Sequence, residues 1–203
     1  FDLGYSLVQI KDLSKGLSFN SKGNLNMRMG LNDFAASDVI SRMSQDNLIK
    51  IFKIFGEEKF SKPIVRKIIE IRKNKSIQTE DLIKIIENVK KYRNSKINNS
   101  TKIFQALRIF VNKEISELIN GLINAYNILP IGGIIAVVTF HSLEDRIVKF
   151  FFKNYSENKN SSRYLPNKKL GFKCFDLKKK KPIIPNLSEI KSNPPSRSAK
   201  LRY

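Results

Sequence analysis

The chain has few of the residues that build disulfides or zinc sites. It contains one cysteine, one histidine and no tryptophan among its 203 residues. A single cysteine, Cys174, excludes an intramolecular disulfide framework and is typical of a reducing compartment. One cysteine and one histidine also fall short of the four ligands of a structural zinc site. We therefore predict a cytoplasmic protein without a structural metal.

Long hydrophobic runs are also missing. The longest candidate, Ile128 to Phe140, is interrupted by Pro130, Gly132 and Gly133. A membrane-spanning helix needs roughly 18 or more apolar residues in a row, so we expect no membrane anchor. No signal peptide is visible, and the chain starts with Phe1 in what looks like the end of a strand. We interpret this start as that of a fragment whose natural beginning is missing.

Acidic residues are scarce relative to basic ones. Lysine and arginine number 38 against 18 acids, which gives a formal net charge of +20. Such an excess favours a polyanionic partner, because each neutralised phosphate releases counterions. Nucleic acid is the first expectation and an anionic membrane surface the second. Many lysines stand beside asparagine and isoleucine, a pattern that compositional drift of a genome also produces.

The most informative stretch runs from residue 132 to residue 151. Two glycines open a turn, and the aliphatic run from Ile134 to Phe140 predicts a strand buried on both faces of a sheet. Open α/β sheets bind ligands at the carboxyl ends of their strands. The polar residues at this end are His141, Ser142, Glu144, Asp145 and Arg146. Ser142 and Asp145 fit a capping box for the helix that follows, which leaves the other three for chemistry.

A second strand end lies at the start of the chain. The sequence Phe1-Asp2-Leu3-Gly4 places Asp2 at the same carboxyl edge as His141. A loop rich in glycine and asparagine follows and ends in Met27-Arg28-Met29. These methionines either fill the core beneath the loop or form a flexible apolar wall beside a ligand.

Helical periodicity dominates from residue 31 to residue 96. Three short helices are predicted there, one capped by Ser44, one starting near Pro63 and one opening at Thr79. After a polar linker over 94–101, one long amphipathic helix is expected from Lys102 to Asn127. With the strand after it, this helix forms an α–β–α unit typical of half of a doubly wound sheet.

Five separated stretches together resemble one family. They are Asp2-Leu3-Gly4 with Gln9, Gly16–Phe19 with Asn26–Met29, Phe104–Arg108 with Val111-Asn112, Phe140–Lys149, and Arg197–Arg202. This pattern resembles the bacterial MraW/RsmH family. These are S-adenosylmethionine-dependent methyltransferases that act on the N4 amine of a cytosine in small-subunit ribosomal RNA.

The resemblance implies a fold and a domain arrangement. The fold class is α/β, with a Rossmann-like class I methyltransferase domain whose N-terminal strands are missing and an inserted all-helical subdomain. The methyltransferase domain would comprise residues 1–30 and 100–203, and the helical insert residues 31–99. The implied cofactor is S-adenosyl-L-methionine. The implied partner is small-subunit ribosomal RNA or the assembled small subunit, in the cytoplasm.

The resemblance also implies roles for single residues. Asp2, Gly4 and Gln9 fall at positions that bind the cofactor. The candidate catalytic residues, in segments that line the active cleft, are His141, Asn26 and Asp145. The residues implied in substrate or RNA binding are Arg28, Arg108, Ser142, Arg146, Arg197, Lys200 and Arg202. For Arg28, Arg108 and Arg146, an ion pair with Glu114, Glu144 or Asp145 is an equal alternative. For His141, a hydrogen-bonded residue at the strand end is an equal alternative to a catalytic base.

The chemistry of the target narrows these roles. The lone pair of a cytosine amine is delocalised into the ring, so the amine must be aligned with the methyl donor. A nearby acceptor must also hold its hydrogen, and Asp2, Asn26 and His141 are the candidates. The target base must be unstacked, and Phe19 or Phe140 could stack on it, with a place in the core as the equal alternative for each.

Three departures from the family pattern keep a rival function open. The glycine-rich cofactor turn and the acid of the second strand would lie before Phe1. The usual Asp-Met-Arg-Met-Asp has Asn26 and Gly30 at its ends, and the usual Ser-Ser-Pro is Ser6-Leu7-Val8. The rival is a catalytically inactive RNA-binding or ribosome-assembly factor. A methyltransferase for DNA or a small molecule is a third possibility, disfavoured by the charge and the resemblance.

Overall fold

The computed structural model of the chain describes residues 1–4, 6, 8–9, 12–18, 21, 23–30, 34–90, 98–156, 175–177 and 179–203. Phe19, Cys174 and half of the predicted linker, residues 94–97, lie outside these residues. The described helices are α1 (Ala36–Arg42), α2 (Gln45–Ile54), α3 (Ser61–Ile71), α4 (Thr79–Val89), α5 (Thr101–Val111), α6 (Glu114–Ile128), α7 (Ser142–Ser156) and α8 (Leu187–Ser192). The described strands are β1 (Val137–Thr139) and β2 (Lys200–Arg202), and short 3-10 segments span Leu13–Lys15 and Pro194–Ser198.

The chain divides into two compact units. One consists of Phe1–Gly4 with Ser116–Tyr203, here called the sheet unit, and the other is Tyr5–Ile115, here called the helical unit. The helical unit is larger than the predicted insert, 31–99, because Leu25, Met27, Phe104 and Leu107 pack into its core. The predicted boundaries come from the helical pattern and the family resemblance, not from packing, and they stay a prediction.

The helical unit is built on amphipathic helices. Each of α2, α3, α4 and α5 buries one apolar stripe, and burying a single such side chain contributes roughly 1.5–3 kcal/mol. Their fully buried members include Leu48, Phe52, Ile64, Ile68, Leu82, Ile86, Ile103 and Leu107. Ser44 caps α2 as predicted, since its hydroxyl accepts the Asn47 N–H at 3.3 Å. The sequence prediction missed α1, a short helix that buries Val39 and Ile40.

The predicted single helix from Lys102 to Asn127 is wrong. Helix α5 ends at Val111 and α6 begins at Glu114. Lys113 has a φ of 51°, in the left-handed region that a right-handed helix cannot include. Hydrophobic periodicity did not reveal this break, because apolar residues continue on both sides of it, at Val111 and Ile115.

Strand β1 lies at the centre of the sheet unit. It pairs antiparallel with β2, with Val138 opposite Leu201. On its other side Val138 forms a parallel bridge with Asp2. The predicted strand from Ile134 is shortened to Val137–Thr139, because β2 pairs with only those three residues. Val137 and Thr139 are buried as expected, whereas Ile134 is 75% exposed, so burial of the whole run on both faces is wrong.

An aromatic cluster forms much of the core of the sheet unit. The rings of Tyr126 and Tyr155 are 4.7 Å apart, and Phe151 and Tyr155 are 4.8 Å apart. Phe175 packs edge-on against Tyr126 at 5.7 Å. These contacts link α6 to α7 and stabilise the helix that starts directly after β1.

Within the described part of the chain, no helix combines the length and the apolar character needed to cross a membrane.

Candidate functional site

Two parallel strand segments end side by side in the sheet unit. The Val138 N–H donates to the Phe1 carbonyl at 2.9 Å, and the Leu3 N–H donates to the Val138 carbonyl at 3.1 Å. Both segments therefore leave the sheet at the same edge, one at Gly4 and one at Phe140. The structure thus confirms that the Asp2 segment and the polar stretch after β1 leave the sheet at the same edge, with Asp2 itself paired with Val138 two residues before Gly4. The Asp2 side chain is exposed there.

Gly4 and Phe140 meet at this edge. Gly4 has a φ of 108°, which only glycine adopts without strain. A Cβ atom on Gly4 would lie 3.6 Å from Cδ2 of Phe140, in ordinary van der Waals contact. The Phe140 ring is 37% exposed. The edge thus combines an exposed carboxylate, a partly exposed aromatic ring and a backbone turn that requires glycine.

His141 and Glu144 form the cap of α7. The Asp145 N–H donates to the His141 carbonyl at 3.2 Å, which makes His141 the N-cap residue. The Glu144 N–H donates to His141 Nδ1 at 3.4 Å, and Glu144 Oε2 accepts the N–H groups of His141 at 3.4 Å and Phe140 at 3.0 Å. This is the reciprocal pattern of a capping box. The predicted box of Ser142 and Asp145 is therefore wrong, since the cap starts one residue earlier.

The cap restricts what His141 can do. Its Nδ1 atom serves as an acceptor, so the proton of the neutral ring is assigned to Nε2. Nε2 is buried and lies 3.1 Å from Glu144 Oε1, but it makes no hydrogen bond within the described residues. Glu144 is itself only 4% exposed. This geometry suits a residue that orders the start of α7, which was the alternative to a catalytic base.

Asp145 binds the C-terminal strand. Its carboxylate accepts Arg202 Nε at 2.7 Å and Nη2 at 3.2 Å, and Lys200 Nζ at 3.3 Å. Burial raises the pKa of this carboxyl, but Arg202 and then Lys200 outweigh the burial and hold the pKa below its ordinary value of 3.8. Arg202 also donates to the Lys180 carbonyl at 3.2 Å and is 8% exposed. These predicted catalytic and RNA-binding side chains join β2 to α7.

The other predicted cations differ in their surroundings. Arg108 donates to Glu114 through Nε at 2.8 Å and Nη2 at 3.0 Å, so the ion-pair alternative describes Arg108. Both side chains of that pair are largely buried, at 11% and 16% exposure. The side chains that are exposed are Arg28, Ser142, Arg146 and Arg197.

The loop 26–29 in the helical unit has a defined conformation. Asn26 Oδ1 accepts Arg28 Nε at 2.8 Å and the Arg28 N–H at 3.4 Å. Met27 is fully buried, so of the two interpretations of the methionines the core one applies to it. The amide oxygen of Asn26 therefore orients Arg28. This differs from the predicted role, in which that oxygen accepts the hydrogen of the cytosine amine.

Gln9 forms a local pair with Ser6. The Gln9 Oε1 atom accepts the Ser6 N–H at 2.9 Å, and the Ser6 hydroxyl accepts the Gln9 N–H at 3.3 Å. This Ser-x-x-Gln spacing is a capping box, which was readable from the sequence but was not predicted.

The sequence prediction missed the structural roles of two further residues, Glu144 and Asn112, which hold the start of α7 and the loop 26–29. The role of Glu144 could have been found from its spacing, because it stands three residues after the histidine that ends the strand segment. Asn112 hydrogen-bonds Met27 and Met29, more than 80 positions away. No local sequence signal predicts such a contact.

Comparison with known proteins identifies the family. The sequence model described as the MraW methylase family matches residues 1–203. Proteins named Ribosomal RNA small subunit methyltransferase H are similar to the chain throughout. The one from Rhodopseudomonas palustris strain TIE-1 is 42% identical over 202 residues, covering 99% of this chain and 61% of that protein. The one from Bartonella henselae is 44% identical over 204 residues, covering 99% and 59%.

The one from Sinorhizobium fredii is 43% identical over 204 residues, covering 100% of this chain and 60% of that protein. The chain therefore spans about three fifths of the length of these relatives. Identity at this level over the whole chain, with the family model matching every residue, leaves the assignment unambiguous. The chain belongs to the MraW methylase family.

Proposed function

We propose that the protein transfers a methyl group from S-adenosylmethionine to the N4 amine of a cytosine in small-subunit ribosomal RNA. Membership of a methylase family and the names of the relatives support this proposal. The observation that carries it is the shared edge, where Gly4 and Phe140 follow two parallel segments and Asp2 lies beside the end of β1. In open α/β sheets this is the edge at which ligands bind.

We place the sheet in a Rossmann-like methyltransferase domain, with residues 31–99 as its helical insert. The order of pairing supports this. Strand β1 has a parallel neighbour at Asp2 and an antiparallel neighbour in β2, and Leu201 of β2 pairs in turn with Ile183. Helix α7 starts directly after β1, as the connection of a βα unit requires.

The residues at the shared edge fit the proposed methyl donor. S-adenosylmethionine carries a positive sulfur and an adenine ring, and the edge presents the exposed Asp2 carboxylate and the partly exposed Phe140 ring. The positive φ of Gly4 lets the backbone turn closely beside that ring. We assign cofactor binding to Asp2 and Gly4. Gln9 stays an implication of the resemblance, because its amide oxygen is engaged with Ser6.

Proton handling falls to Asp2 in this proposal. S-adenosylmethionine would supply the methyl group together with a sulfur that accepts the electron pair of the broken S–C bond. The cytosine nitrogen gains the N–C bond and gives up one proton, which an acceptor must take. Asp2 is an exposed carboxylate at the edge, whereas His141 Nδ1 is used by the cap and Asp145 is paired with two cations. Neither His141 nor Asp145 is therefore proposed as the base.

The proposed RNA contacts are the exposed side chains rather than the buried ones. Ser142, Arg146 and Arg197 are exposed in the sheet unit, and Arg28 is exposed in the helical unit. The net charge of +20 would support phosphate binding across the protein. Arg202 is left out, because it is buried against Asp145.

The test is a methyl-transfer assay with the full-length protein. Radiolabelled S-adenosylmethionine is incubated with small-subunit ribosomal RNA and, separately, with isolated small subunits. The RNA is then digested to nucleosides and analysed by mass spectrometry. We expect N4-methylated cytidine with at least one of the two substrates. Label on a different base or position would overturn the assignment of the reaction.

One observation favours the rival, a catalytically inactive RNA-binding or assembly factor. Asn26 replaces a carboxylate of the family pattern, and its amide oxygen is held by Arg28. The rival predicts RNA binding with no methyl transfer to either substrate. Binding of S-adenosylmethionine by titration calorimetry separates the two functions independently of turnover, since only the enzyme needs the cofactor.

A further inference from the structure

Met27 has an unusual backbone conformation. Its φ is 57°, in the left-handed region that residues other than glycine, asparagine and aspartate rarely adopt. The side chain of Met27 is fully buried, so it is packed in the core of the helical unit. Strained conformations of this kind persist only where surrounding contacts fix them, and they concentrate at functional loops.

Asn112 supplies those contacts. Its Nδ2 donates to the Met27 carbonyl at 2.8 Å, and its Oδ1 accepts the Met29 N–H at 2.8 Å. A single side-chain amide thus satisfies one backbone group on each side of Arg28. The two bonds span 85 and 83 positions of sequence, so they join segments that are otherwise remote in the chain.

Asn112 is itself held firmly. It stands at the break between α5 and α6, where its Nδ2 also donates to the Arg108 carbonyl at 2.9 Å. The next residue, Lys113, has a φ of 51°. The ion pair of Arg108 with Glu114 spans the same break. The side-chain amide of Asn112 is therefore held in place at the interruption between α5 and α6.

The clamped loop presents Arg28. Both Arg28 Nε and the Arg28 N–H bond to Asn26 Oδ1, and the side chain is exposed. Asn26 is also fixed on the core side, since its carbonyl accepts the Ala36 N–H at 3.0 Å. An arginine held in this way is suited to contact a phosphate with little loss of side-chain freedom.

We propose that Asn112 is a positioning residue, which fixes the loop 26–29 so that Arg28 binds the phosphate backbone of the RNA substrate. The inference rests on the proposed function only in taking RNA as the substrate. Asn112 touches neither the RNA nor the reacting atoms. It acts through the conformation of Met27 and Met29, and therefore through Arg28.

The test is a double-mutant cycle on the Kd for small-subunit ribosomal RNA, measured in the full-length protein. Arg28→Ala weakens binding by about tenfold, as expected for one charge-assisted contact. Asn112→Ala weakens it to a similar extent. When Arg28→Ala is added to Asn112→Ala, the Kd should rise by less than a further twofold, because an arginine on an unclamped loop no longer contributes to binding. Independent effects that multiply to about a hundredfold would overturn the proposal.

Two further variants keep the result interpretable. Asn112→Asp keeps an acceptor for Met29 but turns a carboxylate oxygen toward the Met27 carbonyl, so it should behave as Asn112→Ala while conserving size. Asn120→Ala, an exposed change on α6, is the matched control and should leave the Kd unchanged. An Asn112→Asp protein that binds RNA like the wild type would contradict the clamp. Because the cycle needs no turnover, it remains decisive even if methyl transfer is absent.

Discussion

Asp145, in the first turn of α7, accepts two hydrogen bonds from Arg202 in β2, at 2.7 and 3.2 Å. The two residues are 57 positions apart, and Arg202 is 8% exposed. From the sequence alone, Asp145 was predicted as a catalytic residue and Arg202 as an RNA-binding residue. Their pairing instead fixes the C-terminal strand to the helix that follows β1.

This pairing predicts a pH-dependent contribution to stability. Asp145→Asn should lower the free energy of unfolding at pH 7 by about 2 kcal/mol, because it weakens charge-assisted bonds to Arg202 and Lys200. The pKa of Asp145 is depressed in the folded protein, so the contribution is present above the ordinary value of 3.8 and is lost as the pH falls through the folded pKa. Urea denaturation of both proteins from pH 7 to pH 2.5 measures the difference. A difference that grows toward low pH would have the wrong sign for this pair.

Arg197 and Arg202 should affect RNA binding differently. Arg197→Ala should reduce the slope of log Kd against log salt concentration by about one, because an exposed cation that contacts phosphate releases one counterion. Arg202→Ala should lower stability and leave that slope unchanged, since its guanidinium is engaged with Asp145. Filter binding at several salt concentrations measures both slopes. Equal changes in the two variants would mean that Arg202 also reaches the RNA.

The cap of α7 predicts a graded response at His141. His141→Ala should destabilise the protein by about 1 kcal/mol, and His141→Asn by less than half of that, because asparagine is among the best N-cap residues. Methyl transfer by the folded His141→Asn protein should stay within tenfold of the wild type. Thermal unfolding and initial rates provide the two measurements. A rate loss of a thousandfold or more in a stable asparagine variant would restore His141 as the base.

Much of the helical unit could be predicted from local sequence, whereas the contacts that organise the site could not. The Ser44 cap and the apolar stripes of α2, α3 and α4 depend on neighbouring residues, and the structure confirms them. At the break by Lys113, apolar residues continue on both sides, so periodicity predicted one long helix, and the contacts of Asn112 with Met27 and Met29 have no local signal. Burial of Arg202 depends likewise on a residue 57 positions away. A charge alone does not say whether its partner is in the protein or in the substrate.

Glu58 and Lys90 form a buried ion pair in the helical unit. Their side chains are 3% and 11% exposed, and Lys90 also donates to the Asn99 carbonyl at 2.9 Å. Lys90→Met should destabilise the protein by about 3 kcal/mol, because it leaves a buried carboxylate without its cation. Adding Glu58→Gln should recover most of the loss, since an amide oxygen can still accept the Phe60 N–H. Chemical denaturation of the single and double variants is the measurement. A double variant that is less stable than Lys90→Met alone would refute this explanation.

The most direct test of the central claim is a single-turnover methyl-transfer measurement on Asp2→Asn in the full-length protein. Asp46→Asn, a change to an exposed acid on α2, is the matched control. If the edge shared by Asp2 and Phe140 is where the methyl group is transferred, Asp2→Asn should react at least 100-fold more slowly than the wild type, or about 3 kcal/mol in barrier. Its unfolding temperature and that of the control should stay unchanged. A rate within threefold of the wild type would contradict the placement of the reaction at this edge.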